Sequence, residues 1–83
     1  MSTEVDEPIQ VGAVFASGQV RPAWFLWRRR RFAIRQITMR WQTQQGRARL
    51  LHLGVTDGAS VFELVLNQET LGWRLAAVDL KDA

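Results

Sequence analysis

The sequence has no cysteine, one histidine, one lysine, and no acidic residue between Pro8 and Thr56. Each absence removes a class of function. Without cysteine there is no disulfide framework, no thiolate metal site and no cysteine nucleophile. A zinc site on His52 would need carboxylates for every other ligand, and the acids are scattered along the chain, so no metal site is expected. No stretch of about 18 apolar residues offers a membrane span. The acidic start, Met-Ser-Thr-Glu-Val-Asp-Glu-Pro, lacks the basic and apolar regions of a signal peptide. The expectation is a cytoplasmic protein. Ser17, Ser60, His52 and Asp57 make no nucleophile pattern, and no glycine-rich phosphate loop precedes a helix. Neither an enzyme nor a cofactor is expected.

What fills the acid-free stretch is arginine. Arg21, Arg28, Arg29, Arg30, Arg31, Arg35, Arg40, Arg47 and Arg49 lie in it, so nine cations and no acid give a segment of formal charge +9 inside a chain of net charge +3. The eight acids lie before it (Glu4, Asp6, Glu7) or after it (Asp57, Glu63, Glu69, Asp79, Asp82). Such separation of sign bears on partners rather than on fold, and it puts an anionic partner first. Codon bias alone can raise arginine over lysine. Arginine also grips phosphate bidentately and stacks on bases, which lysine does less well.

Eighty-three residues make one small domain. A chain of this size buries roughly 60–65% of its extended surface, for a stability on the order of 5 kcal/mol. At 47% hydrophobic, with four tryptophans and four phenylalanines, it has material for a core. Residues 1–8 read as a disordered acidic tail, and residues 9–81 as a single β domain. Period-two alternation marks strands at about residues 9–16, 23–27, 32–41, 47–56, 61–67 and 73–80, with turn signals at Ser17-Gly18, in the polar residues 42–46, at Asp57-Gly58 and in residues 67–72. Two parity slips predict β-bulges, near Arg35-Gln36 and near Ala76-Ala77. A helix over residues 31–41 is the competing account of the first slip. The alternation and the β-branched and aromatic content favour the strand. Six short strands bent by bulges predict an all-β fold, a small antiparallel barrel or strongly twisted sheet.

Arg28 to Arg31 should form a hairpin tip, with Arg28 opposite Arg31 and Arg29-Arg30 as the loop. Such loops want positive φ, so two arginines there imply local strain or a wider, mobile loop. Phe32, Ile34, Leu53, Leu64 and Leu75 are expected in one core. Phe25 and Trp27 share one face of their strand, Trp24 and Leu26 the other, so either Trp24 or Trp27 is the tryptophan to expect outside. His52 reads as an ordinary exposed strand histidine.

The pattern Pro22-x-x-Phe25-x-Trp27-Arg28-x-Arg30-Arg31-Phe32-x-Ile34, then Trp41, Asp57-Gly58, Phe62-Glu63-Leu64 and Trp73-x-Leu75, resembles a family of small uncharacterised bacterial domains. That family occurs alone and at the carboxyl end of the Y-family polymerase-like subunit of the bacterial mutagenesis complex. The likeness covers about residues 20–80. It favours Trp24 as the outer tryptophan and implies a β-rich accessory module near DNA repair, with no catalytic residues to carry over. This chain departs from the family in having Arg29 where glycine is usual and Phe32 where a tyrosine-type aromatic is usual.

Three functions follow as expectations. The first is a nucleic-acid-binding module for single strands with weak sequence specificity. Arg28, Arg29, Arg30, Arg31, Arg35, Arg40, Arg47 and Arg49 would contact phosphate, and Trp24 would stack on bases. The second is a protein-interaction module docking an acidic partner surface. The third is a self-associating structural domain. The bland counterpart of the first is a solvated hairpin tip.

Overall fold

The computed structural model describes residues 2–80, so Lys81, the last residue assigned to the domain, lies outside them. Seven strands make one antiparallel sheet: β1 (Ser2–Ala16), β2 (Gln19–Trp27), β3 (Arg30–Ala33), β4 (Gln36–Gln45), β5 (Ala48–Thr56), β6 (Ser60–Asn67) and β7 (Trp73–Leu80). Their order across the sheet is β3-β2-β1-β7-β6-β5-β4. Among the described residues there is no second layer, and a single sheet can bury its apolar face only by coiling around it. Phe25, Leu53, Val55, Phe62, Leu64, Leu75 and Val78 form that enclosed core, and Trp27, Phe32 and Ile34 pack against it half-buried. Phe62 of β6 meets Phe25 of β2 edge-on at 4.9 Å and Phe32 of β3 at 5.3 Å, so aromatic rings fill the interior from opposite walls.

The all-β expectation holds, and the barrel is not closed. The two edge strands, β3 and β4, are consecutive in sequence and joined only by Ile34 and Arg35. Ile34 N–H donates to the Ala23 carbonyl at 2.8 Å, and Arg35 N–H donates to the Thr56 carbonyl at 2.8 Å. One residue thus still pairs with the β2 side and the next already pairs with β5. The slip expected as a bulge near Arg35-Gln36 is therefore a corner that splits one long strand in two, which is why there are seven strands and not six. A true bulge follows it: the β4–β5 register shifts between Ile37 and Met39, which turns Met39 and Trp41 outward. The second expected slip is present, because Glu63 pairs with Ala77 and Leu64 with Leu75, leaving Ala76 as the extra residue.

Two other expectations are corrected. Residues 2–8, expected as a disordered tail, form the first half of β1, with Ser2 opposite Asp79 and Pro8 opposite Arg74. Residues 42–45, expected within a turn, continue β4 as far as the tip at Gly46, with Gln45 opposite Ala48. In both segments, backbone pairing to a neighbouring strand supplies what the polar sequence does not advertise.

Candidate nucleic-acid interface

The β2–β3 hairpin carries the arginine run, one residue out of the expected register. Trp27 pairs with Arg30 and Leu26 with Arg31, so the loop is Arg28-Arg29. Both loop residues are left-handed, at φ 51° and 66°. This is the two-residue turn that matches strand twist and normally takes Asn or Gly. Of the two alternatives, a strained tight loop or a wider one, the chain adopts the strained one, at a cost of about 1 kcal/mol or more per residue.

Stacking and an ion pair offset that strain. The Arg28 guanidinium lies 4.7 Å from the Trp27 ring centre and donates to Glu7 at 3.0 Å. The Trp27 indole N–H donates to the same carboxylate at 3.0 Å. Hydrogen bonds from Arg28 and from Trp27, then the Arg28 charge, hold the Glu7 carboxyl below its ordinary range despite slight desolvation. Arg30 lies over Phe32 at 5.2 Å and Arg31 over Trp24 at 4.7 Å. Cation–π contacts of this kind hold long side chains in place as well as attracting them.

Trp24 sits half-buried on the outer face, its indole flat against the backbone of Gly12, where any Cβ would collide with the ring. Trp24, Leu26 and Arg31 make one outward platform beside the tip. Arg35, at the corner between β3 and β4, lies against Gly58. Asp57, in the neighbouring turn, is pushed up by desolvation. Amide N–H groups of Ser60, Ala59 and Asp57 itself, with the Arg30 charge, bring its carboxyl below the ordinary range.

The structure brings Arg28, Arg29, Arg30, Arg31, Arg35 and Trp24 to one end of the sheet. It leaves three predicted contacts elsewhere. Arg47 and Arg49 lie in the β4–β5 hairpin, separated from the corner by the length of β4, roughly 30 Å of strand. Arg40 pairs with Leu53 on the inward face and donates to the Val20 carbonyl at 3.0 Å. The basic segment also acquires acids in space: Glu7 on Arg28 and Asp57 near Arg30. Among the described residues, Arg29, Arg30, Arg31 and Arg35 form no side-chain ion pair.

One outer-face cluster was not legible. Trp41 stacks on His52 with ring centres 5.0 Å apart, and His52 is hydrogen-bonded to Thr43 at 2.7 Å and to Glu63 at 3.1 Å. His52 is thus a half-buried pivot of three side chains and not a free strand histidine. Among the described residues, no group of three His, Cys, Asp or Glu side chains gathers as a metal site requires. No helix there is long and apolar enough to cross a membrane.

A family model described as a domain of unknown function, DUF6504, matches residues 1–80. No curated protein and no solved structure matches the chain.

Proposed function

The chain belongs to the DUF6504 family, and from its own geometry we propose that it is a cytoplasmic module that binds single-stranded nucleic acid through the β2–β3 arginine hairpin. The observation that carries this reading is the Arg31 guanidinium stacked 4.7 Å over Trp24, beside a strained tip of further arginines. The stack presents a flat cationic surface on which an unpaired base can lie, and Arg31 itself, with Arg29, Arg30 and Arg35 around it, is set to take phosphates. Such contacts read charge and π-surface rather than sequence, so specificity is weak. The likeness to a domain appended to a polymerase-like subunit suits a module that holds a single strand near DNA repair.

The test is binding of an oligodeoxythymidine across a salt series. Four unpaired arginines on phosphate give a slope of log K against log salt of about −3, at about −0.7 per contact. Arg29→Glu with Arg30→Glu should flatten that slope by about one to two units. Unaltered binding in that folded variant would remove the hairpin from the mechanism.

A further inference from the structure

We propose that the open side of the coiled sheet is a slot for one extended strand of a partner protein, carrying acidic side chains alternating with apolar ones. β3 covers β2 only at residues 24–27, so residues 19–22 of β2 have no strand on their outer side. Facing them across the opening is β4, which among the described residues pairs with β5 alone. The cleft between the two has a volume of about 1240 Å³.

Three features give the opening the character of a vacant strand position. The Arg40 side chain reaches from β4 to hydrogen-bond the Val20 carbonyl of β2 at 3.0 Å, a span that direct pairing of the strands would leave no room for. Pro22 has no N–H to offer on this side of β2, so β4 cannot close onto it and an added strand takes its ladder bonds from β4. Finally, β4 runs ten residues, Gln36–Gln45, without proline, lysine or glycine, and only the bulge near Thr38 interrupts it. Proteins normally blunt an edge of this length. Left open, it is a template for strand addition.

Charge selects the occupant. Among the described residues, Arg21, Arg35 and Arg40 line the cleft and no acid does, while Ile34 and Ile37 supply apolar contacts. A second copy offering its own β4 would bring another Arg40 against the first, so an acidic strand is the better fit. The site is separate from the Arg28-Arg29 tip, shares Arg35 with the nucleic-acid surface, and goes beyond the nucleic-acid reading.

The experiment uses the full chain and a labelled seven-residue peptide alternating glutamate and valine. Binding is read by anisotropy, and the site by amide hydrogen exchange. Amides of residues 36–45 should gain protection, and Arg21→Glu should weaken the peptide about fivefold while Arg29→Glu leaves it unchanged. Replacing its glutamates by lysines, or methylating alternate peptide nitrogens at unchanged charge, should weaken binding at least tenfold. An N-methylated peptide that binds as tightly, or β4 amides left unprotected, would overturn the proposal. So would protection of β4 in the free protein with a dimer mass by light scattering, which makes the occupant a second copy. Protection of those amides by oligodeoxythymidine would overturn it as well. The peptide arms need only the unmodified protein, so they decide the matter even if a variant fails to fold.

Discussion

Glu7 and Arg28 meet at 3.0 Å across twenty-one positions of chain, and their contact ties the acidic first strand to the basic hairpin tip. Its pH dependence follows from the direction in which the Glu7 carboxyl is moved. A carboxyl held below its ordinary value of 4.5 stabilises the fold fully above that value and loses its contribution as pH falls through the lowered value. Asp57, held below 3.8, acts in the same sense. The urea midpoint should therefore be flat from pH 7 to about 5 and fall steadily below about 4.5. Glu7→Gln should lower the neutral-pH midpoint and make the acid decline shallower. An unchanged decline would show that the contact adds nothing to the fold.

Removing residues 1–8 should cost far more than loss of a loose tail would. The deletion exposes the backbone groups of β7 that face Ser2 to Pro8 and releases Arg74 from Asp6, to which it donates at 2.9 Å. A fall in melting temperature of at least about 8 °C is expected, since about 1 kcal/mol moves a domain of this size by 4–8 °C. A shift under two degrees would return those residues to the status of a tail.

These residues show where sequence reading stops. Leu53, Leu64 and Leu75 were legible as core because each sits in an alternating apolar run, and all three are fully enclosed. The pairing of Ser2 with Asp79 is a contact between the two ends of the chain, which no local pattern encodes. The corner at Ile34-Arg35 leaves the same parity slip as a bulge, so sequence shows the break and not the crossing from one edge to the other. Parity alone groups Met39 and Trp41 with Ile37. The bulge near Thr38 puts both outside, Met39 at 62% and Trp41 at 36% exposure. The arginine cluster was legible as charge, yet its division between two ends and one brace across the open side depends on topology.

Leu64→Ala should cost about 2–5 kcal/mol, enough to leave so small a domain largely unfolded. Leu64 has no exposed surface and sits among Leu53, Leu75 and the phenylalanines. Ile34→Ala, at the half-buried corner, should cost distinctly less. Chemical denaturation of the two variants in parallel checks the order.

Arg29→Gly should separate stability from binding. At φ 66° the Arg29 backbone is strained for any residue with a Cβ, and glycine removes that strain. A gain of about 1 kcal/mol is expected, or roughly 4–8 °C in melting temperature. The same change deletes a phosphate contact, so oligodeoxythymidine should bind more weakly, with the salt slope reduced by about 0.7. A stabilised variant that binds as tightly as before would make the tip a solvated turn and nothing more.

The stack of Arg31 on Trp24 gives the last prediction, because its two halves answer to salt differently. Trp24→Ala removes the support of a base-stacking surface worth about 1–3 kcal/mol per base, and stacking releases no counterions. Affinity for oligodeoxythymidine should therefore fall about five- to hundredfold with the salt slope nearly unchanged. Arg31→Gln removes charge but leaves the indole seated on Gly12, so it should flatten the slope by about 0.7 with a smaller loss at high salt. Gly12→Ala supplies the control. Its new methyl drives the indole off its seat without touching a cation, at a cost of about 1–3 kcal/mol in stability. It should therefore reproduce the salt behaviour of Trp24→Ala. If all three variants instead changed the slope and none lost affinity at high salt, the Arg31–Trp24 stack would carry no base, and binding would be purely electrostatic.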